Sequence, residues 1–437
     1  AAFVRSGLSR FQPHFPNFKA MQHVIVIGGG IVGLSSAYYL RQAGYEVTLI
    51  DKNDLSDNCS YGNAGYVCPS HFIPLATPGI VKKGLKWMWN SRSPFYIQPR
   101  LSKSLISWGL QFMRSATPEH VRNAGIPLRD IAILSKKMYE SWIGQPGFDF
   151  AYEQKGLLEI FQTEEAAHHA AEIVARAHEL GLSDTALLSA AEVKALEPHI
   201  HMEAAGAIWF KCDAHLYPPK VMQQLIAVLK AQGVHFVLNE AVIDFDIRQH
   251  TIKAVKTDRS VYTADHVVLA AGSWSRELAE KIRLRMPLVG GRGYSITTQD
   301  PKFRINYPAV FVESRIALTP MDGNKTRFGG TMEITATNTP PRLQRVQGII
   351  DGVKRFYPEF DIPMPEPDKV WYGFRPCSAD GLPYIGKAGQ YKNFVVATGH
   401  SMLGMSLGAG TGKLVQELIT GEPLSMDITP FDPNRFA

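Results

Sequence analysis

Apolar positions along this 437-residue chain fall into short runs and into stripes of helical period. Val24-Ile25-Val26-Ile27 is a β-branched run without polar interruption, the pattern of a strand buried on both faces. Gly28-Gly29-Gly30-Ile31-Val32-Gly33 follows at once. Leu34, Ala37 and Leu40 then recur at helical spacing as far as Gly44, and Glu46-Val47-Thr48-Leu49-Ile50 gives a second strand ending at Asp51. Further apolar runs predict strands over 233–238, 266–270 and 287–295, and alternating runs predict strands over 309–319 and 326–333. Helical patterns cover 126–143, 164–181 and 406–420. Ser189 with Glu192 three residues on reads as a capping box at a helix start. No internal repeat or low-complexity tract interrupts the pattern.

The strand–glycine–helix–strand order over 24–51 predicts an α/β, Rossmann-type dinucleotide-binding domain, and each part has a physical task. Gly28 permits the tight turn, Gly30 lets a pyrophosphate approach the backbone, and Gly33 allows the helix to pack closely on the strand. The helix N-terminus at Ile31 offers free N–H groups and partial positive charge to phosphates. Asp51, followed by Lys52, stands where a carboxylate can accept from ribose hydroxyls. The small, polar loop Cys59-Ser60-Tyr61-Gly62-Asn63-Ala64-Gly65 can run along a pyrophosphate and reach a flavin ring, so FAD is favoured over NAD. Its candidate contacts are Ser60, Asn63, Ala64 and Gly65. A second buried strand, His266-Val267-Val268-Leu269-Ala270, runs into Ala271-Gly272, where small residues let backbone touch a cofactor, with Trp274 on the next turn.

Two C-terminal stretches complete the set: Trp371-Tyr372-Gly373-Phe374-Arg375-Pro376-Cys377 and Val395-Val396-Ala397-Thr398-Gly399-His400-Ser401-Met402-Leu403-Gly404. With Gly28 to Asp51 and the 60–65 loop, they resemble the D-amino-acid dehydrogenase branch of the FAD-dependent amine oxidoreductases, over nearly the whole chain after Met21. D-amino-acid oxidase, glycine oxidase and sarcosine oxidase belong to the same superfamily. The resemblance implies non-covalent FAD, with Gly373, Gly399, His400, Leu403 and Gly404 facing the flavin and Val242 bringing backbone to the adenine. It implies that Arg375 grips a substrate carboxylate with two parallel hydrogen bonds, the geometry a guanidinium suits. Tyr294 is a second candidate at the carboxylate, its plain alternative being a core tyrosine. His400 is a third, in a positional role more than as a base. Cys377 lies closer to Asp380 than the flavin-linking cysteine of some relatives does, so covalent attachment is not expected.

The implied reaction is hydride transfer from Cα to flavin N5, then hydrolysis of the imine to a 2-oxo acid and ammonia. The alternatives are a secondary-amine oxidase acting on sarcosine, proline or hydroxyproline, and a flavoprotein acting on a partner protein. The resemblance also implies a discontinuous second, substrate domain on a mostly antiparallel sheet. The expected division gives 21–75, 185–280 and 366–437 to the FAD domain and 76–184 with 281–365 to the substrate domain.

Composition narrows the picture. Hydrophobic residues make up 45% and charged residues 20%, as in ordinary globular chains and unlike disordered ones. No apolar run is long enough for a transmembrane helix. The net charge of +6 comes without a recognisable nucleic-acid module, so nucleic acid is not expected as a partner. Cys59, Cys68, Cys212 and Cys377 lie far apart without CxxC or evident ligand spacing, which predicts reduced thiols, no metal and a cytoplasmic setting. Residues 1–20 carry bases and no acid, and Met21 sits directly before the first strand. They read as an upstream expression remnant, with a transit-like peptide as the alternative. Between Lys82 and Arg114 seven bases alternate with aromatics and no acid intervenes. That mixture suits the inner face of an anionic membrane, where a quinone could accept electrons in place of oxygen. The plain alternative is aromatics packed inward over the substrate pocket.

Overall fold

The computed structural model describes residues 21–79, 93–299 and 302–437. Residues 1–20 and the Lys82–Trp89 cluster lie outside the described residues. The β-branched run His23–Ile27 becomes the centre of a six-stranded sheet. Its strand order is Tyr384–Lys387, Phe394–Thr398, His266–Leu269, His23–Ile27, Glu46–Ile50 and His235–Val237. Every pairing is parallel except the edge pair Tyr384–Lys387 with Phe394–Thr398. Burial on both faces explains the lack of polar alternation in Val24–Ile27. A separate three-stranded sheet comprises Val242–Arg248, Thr251–Thr257 and Val261–Thr263.

The helix Ile31–Gln42 covers one side of the six-stranded sheet through Leu34, Ala37 and Leu40. The helix Gly404–Thr420 lies across it, and glycine permits the approach. A Cβ at Gly412 would stand 2.5 Å from the Ser35 backbone, and one at Gly408 would stand 2.8 Å from the Ile31 side chain. On the same helix, Gly410 meets Ser135 of the helix Pro118–Trp142.

The second layer is a nine-stranded, mostly antiparallel sheet. Its main path runs Trp371–Ser378, Leu288–Thr298, Lys325–Ile334, Ile316–Met321, Ala309–Phe311, Leu157–Phe161, Gly206–Phe210 and Thr185–Ser189, with Phe95–Ile97 beside Lys325–Ile334. The helix Leu343–Phe356 buries Val346, Ile349 and Val353 against this sheet, and Phe356 stacks on Phe311 with ring centroids 4.3 Å apart.

The mixed α/β architecture agrees with the sequence, and the large sheet draws strands from both sides of the expected domain division. Strands Thr185–Ser189, Gly206–Phe210 and Trp371–Ser378 were assigned to the FAD side and are hydrogen-bonded into the large sheet. Conversely, Tyr139 and Trp142 of the helix Pro118–Trp142, assigned to the substrate side, pack in one core with Val24 and Leu34. Short strands and amphipathic helices carry no label for the layer they join. The Ser189–Glu192 capping box is present at the start of the helix Ala190–Leu196.

Candidate functional site

The turn after His23–Ile27 separates its glycines into two kinds. Gly28 has φ +107°, and a Cβ there would come within 2.5 Å of the Ala270 carbonyl oxygen. A Cβ on Gly33 would fall 1.8 Å from the Gly28 oxygen, so helix and strand touch here only because Gly33 has none. Gly30 differs: the nearest atom to its Cβ position is Ser60 Oγ at 3.6 Å. Gly272 and Gly404 have nothing within 4 Å. Gly28 and Gly33 therefore close the scaffold, whereas Gly30, Gly272 and Gly404 border open space that a ligand backbone could enter.

Around this opening the predicted polar groups converge. Asp51 ends its strand with Oδ2 accepting from Gly29 N at 2.7 Å and Oδ1 accepting from Asn53 N at 2.8 Å. The segment leading to Val242 runs beside it, since Asp51 N donates to Val237 O and Glu240 N donates to Asp51 O. Ser60 Oγ accepts from Ile31 N at 3.1 Å, and Asn58 Nδ2 donates to Gly29 O at 3.2 Å, strapping the loop to the helix start. Asn63 Oδ1 caps Gly65 N at 2.8 Å, with Gly65 at φ +81°. Thr319 Oγ1 donates to Ala64 O at 2.7 Å. Lys52 Nζ lies 3.5 Å from the Trp274 ring centroid, and burial lowers its pKa below the ordinary lysine value. Trp274 meets Phe374 edge-on, and Ser273 Oγ donates to Phe374 O at 3.2 Å. The Ala271–Trp274 turn is thereby joined to the strand that carries Arg375.

One residue here escaped sequence reasoning. Buried Arg327 donates through Nη1 to the carbonyls of Tyr61 and Asn63, both at 2.7 Å, and through Nε to Thr297 Oγ1. Burial pushes its pKa down to about 10. It holds the 60–65 loop by its backbone. The one signal in the sequence is a charged residue at an inward position of the predicted strand over 326–333.

Strands Leu288–Thr298 and Trp371–Ser378 pair with Arg292 opposite Phe374, Gly293 opposite Gly373 and Gly291 opposite Arg375. Alternation along the strands puts Arg375, Gly373 and Cys377 on one face and Phe374 on the other, with Arg292 and Tyr294 beside Phe374. The half-buried Arg375 guanidinium covers Gly293, where a Cβ would lie 2.2 Å from Arg375 Cζ. Arg375 Nη1 donates to Thr331 O. Among the described residues no carboxylate lies within ion-pair distance of it, and burial lowers its pKa from the ordinary arginine value. Gly373 meets Trp371 and Cys59, and Phe374 N donates to Cys59 Sγ at 3.2 Å. Cys377 is fully buried, with Sγ 3.7 Å from Ser401 Oγ.

Tyr294 does not join Arg375. Its phenol donates to Glu333 Oε2 at 3.0 Å and accepts from Arg342 N at 2.9 Å. Burial pushes its pKa up to about 12, so it stays a neutral donor. Glu333 Oε2 also accepts from Arg292 at 2.7 and 2.9 Å, with neither side chain exposed. Tyr294 thus belongs to a closed ionic cluster on the opposite face.

His400 is buried, and its Nε2 meets Thr411 Oγ1 at 2.9 Å within the following helix. Burial pushes its pKa down to about 3, leaving a neutral ring. Its backbone bridges to Cys377, and its carbonyl accepts from Leu403 N at 2.9 Å. Gly399, at φ +81°, abuts the Tyr384 ring. His400 therefore fixes the turn that sets the start of the helix Gly404–Thr420, and its ring faces inward.

Residues 23–418 match the family model described as FAD dependent oxidoreductase. D-amino acid dehydrogenase of Helicobacter pylori is 32% identical over 403 residues, 91% of this chain and 94% of that protein. D-amino acid dehydrogenase of Granulibacter bethesdensis is 30% identical over 428 residues, 95% of this chain and 99% of that protein. Among solved structures, glycine oxidase from Geobacillus kaustophilus superimposes with a TM-score of 0.71 at 19% identity, covering 95% of this chain and 100% of its own. L-proline dehydrogenase from P. horikoshii gives 0.70 at 20% identity, covering 95% of this chain and 98% of its own.

Proposed function

Because this chain belongs to the FAD-dependent oxidoreductase family, we propose that it oxidises a D-amino acid to the corresponding 2-oxo acid and ammonia. The observation that carries this reading is Arg375, a half-buried guanidinium without a carboxylate partner among the described residues, on the strand that Ser273 joins to the Ala271–Trp274 turn. A buried cation left unpaired is costly unless a ligand completes it. An amino-acid carboxylate does so in bidentate geometry and fixes the direction of Cα–H.

The cradle fits FAD. Gly30, Ile31 and the N-terminus of the helix Ile31–Gln42 would take the pyrophosphate. Asp51 and Lys52 would take the ribose, and the backbone at Val242 the adenine. Ser60, Asn63, Ala64, Gly65, Ala271, Gly272, Trp274, Gly373, Gly399, Leu403 and Gly404 would border the flavin, without a covalent link. Bound FAD supplies the hydride acceptor. The chain's own part is to orient the substrate. Neutral, inward-facing His400 offers no base, so the substrate amine sheds its proton to solvent before transfer. The relatives named D-amino acid dehydrogenase support the D configuration.

The electron acceptor we assign is a membrane quinone. On the helix Lys103–Ser115, Trp108 and Phe112 face inward, while Ile106, Leu110 and Met113 form a second apolar stripe at helical spacing, each about half exposed. Lys103, Arg114 and Arg285 flank that stripe on one surface depression of about 420 Å³. Exposed apolar groups rimmed by bases suit an anionic bilayer. No helix among the described residues is long and apolar enough to cross a membrane, so contact would be peripheral.

The deciding experiment is anaerobic bleaching of the flavin with D-, L- and N-methyl amino acids. Bleaching by D-amino acids with stoichiometric ammonia is expected. Bleaching only by sarcosine or proline would transfer the enzyme to the secondary-amine class. No bleaching by any free amino acid would point to a protein substrate. Flotation with anionic vesicles, weakened by salt and by Ile106→Glu, tests the membrane surface. Fast hydrogen peroxide formation without vesicle binding would overturn it.

A further inference from the structure

The loop that leaves the cradle continues into a feature the sequence did not announce. Tyr66–Val67 pairs antiparallel with Ala214–His215, in the register Tyr66 to His215 and Val67 to Ala214. The next step along each strand brings Cys68 beside Asp213. Cys68-Pro69-Ser70-His71 forms a turn, with His71 N donating to Cys68 O at 3.3 Å, so the side chains three apart meet on one side. Ligand atoms of Cys68, His71 and Asp213 all lie within 4.8 Å of one another. Cys212 adds a fourth donor, its Sγ 3.4 Å from Asp213 Oδ1.

We propose that Cys68, His71, Cys212 and Asp213 form a binding site for a thiophilic divalent cation, with zinc as the physiological candidate. Four donors of type S, N, S and O match a closed tetrahedral structural site, and two sulfurs with an imidazole disfavour magnesium and calcium. Tetrahedral zinc holds neighbouring donors about 3.3–3.8 Å apart, so Cys68, His71 and Asp213 would contract by about 1 Å and Cys212, already beside Asp213, would swing in as the fourth donor. The supporting shell is built. Asp213 is fully buried, and its Oδ2 accepts from Ser70 Oγ at 2.5 Å while Oδ1 accepts from Ser70 N at 3.1 Å, which orients the carboxylate. Cys68 N donates to Ser406 Oγ at 2.9 Å, anchoring the site to the helix Gly404–Thr420. Metal binding releases the two thiol protons to solvent. The ion would rivet residues 68–71 to 212–215. Leu216 N donates to Gly65 O at 2.8 Å, so the rivet also steadies the end of the 60–65 loop. This site is separate from the proposed amino-acid chemistry.

The test uses FAD-loaded enzyme produced in zinc-supplemented medium and desalted. Elemental analysis should find one zinc per chain. Exchange into cobalt(II) should give visible d–d bands at wavelengths beyond flavin absorption, with the intensity of a tetrahedral thiolate site. His71→Ala and Cys212→Ser should each lower bound zinc by more than about tenfold while FAD content stays at the wild-type level. Cys212 is partly exposed, so its serine variant remains informative if buried Cys68→Ala fails to fold. Sub-stoichiometric zinc in the supplemented wild type would overturn the proposal and leave a hydrogen-bonded cluster. So would a cobalt spectrum unchanged in both variants.

Discussion

The two faces of the strand pair Leu288–Thr298 and Trp371–Ser378 handle positive charge in opposite ways. On one face Arg292 is fully buried and answered by Glu333, with Tyr294 and Arg342 completing the network. On the other, Arg375 lies over Gly293 without an acid among the described residues. The strands, the pairing and the residue type are the same. The difference lies in what closes the charge: the chain itself on the Arg292 face, and by our reading a substrate on the Arg375 face. On this strand pair Arg292 meets an acid of its own chain, whereas Arg375 meets only the Thr331 carbonyl.

The comparison breaks first at Glu333. Glu333→Gln leaves Arg292 buried and uncompensated, which should cost about 3–5 kcal/mol in urea unfolding of the FAD-loaded enzyme. A loss below about 1 kcal/mol would mean that this face is not closed by the pair. Next in size is Arg375→Ala, expected to raise KM by about 10- to 150-fold, equivalent to about 1.5–3 kcal/mol, while unfolding midpoint and FAD content stay near wild type. Arg375→Lys should recover only part, since a point charge lacks the two-pronged geometry. Equal KM in all three enzymes would move the carboxylate site elsewhere. Gly293→Ala sharpens the contrast without touching charge, because its methyl occupies guanidinium space. Displacement of Arg375 should raise KM by up to about tenfold, about 1.4 kcal/mol, with kcat less affected. An unaltered KM would show that the guanidinium does not need this glycine. The smallest effect belongs to Tyr294→Phe, which removes one buried hydrogen bond and should cost about 1 kcal/mol of stability with KM unchanged. A large KM effect there would restore Tyr294 to the substrate site.

These residues also mark how far the sequence could be read. The glycine turn was legible because its task is local: Gly28, Gly30, Gly33 and Asp51 act within one βαβ unit. Arg375 was singled out by its surrounding motif, and its substrate role is the proposal made above. Tyr294 stayed between a carboxylate and a core reading because its role depends on the face it takes, and facing is set by register with Lys325–Ile334 and Trp371–Ser378. Arg327 is a lone charge in a strand until the fold lays the Tyr61 and Asn63 carbonyls over it. The Cys68–His71 turn and Cys212–Asp213 are far apart in sequence, so their meeting could not be read from spacing before one strand pairing brought them together. Membership of 185–210 and 371–378 in the large sheet was not legible either, because hydrogen-bond partners of short strands are non-local.

The glycines Gly408, Gly410 and Gly412 bear on how the protein is made. They let the helix Gly404–Thr420 lie against Ile31, Ser35 and Ser135, and the strand before it, Phe394–Thr398, pairs with His266–Leu269. During synthesis the first βαβ unit therefore waits, with apolar surface uncovered, for segments the ribosome makes much later. Such long-range assembly is slow and exposes intermediates to aggregation. Refolding yield from urea should accordingly rise when FAD is present, because a ligand bound across the late seam favours the completed state. The cofactor would then serve the young chain as a clasp before it serves the mature enzyme in chemistry.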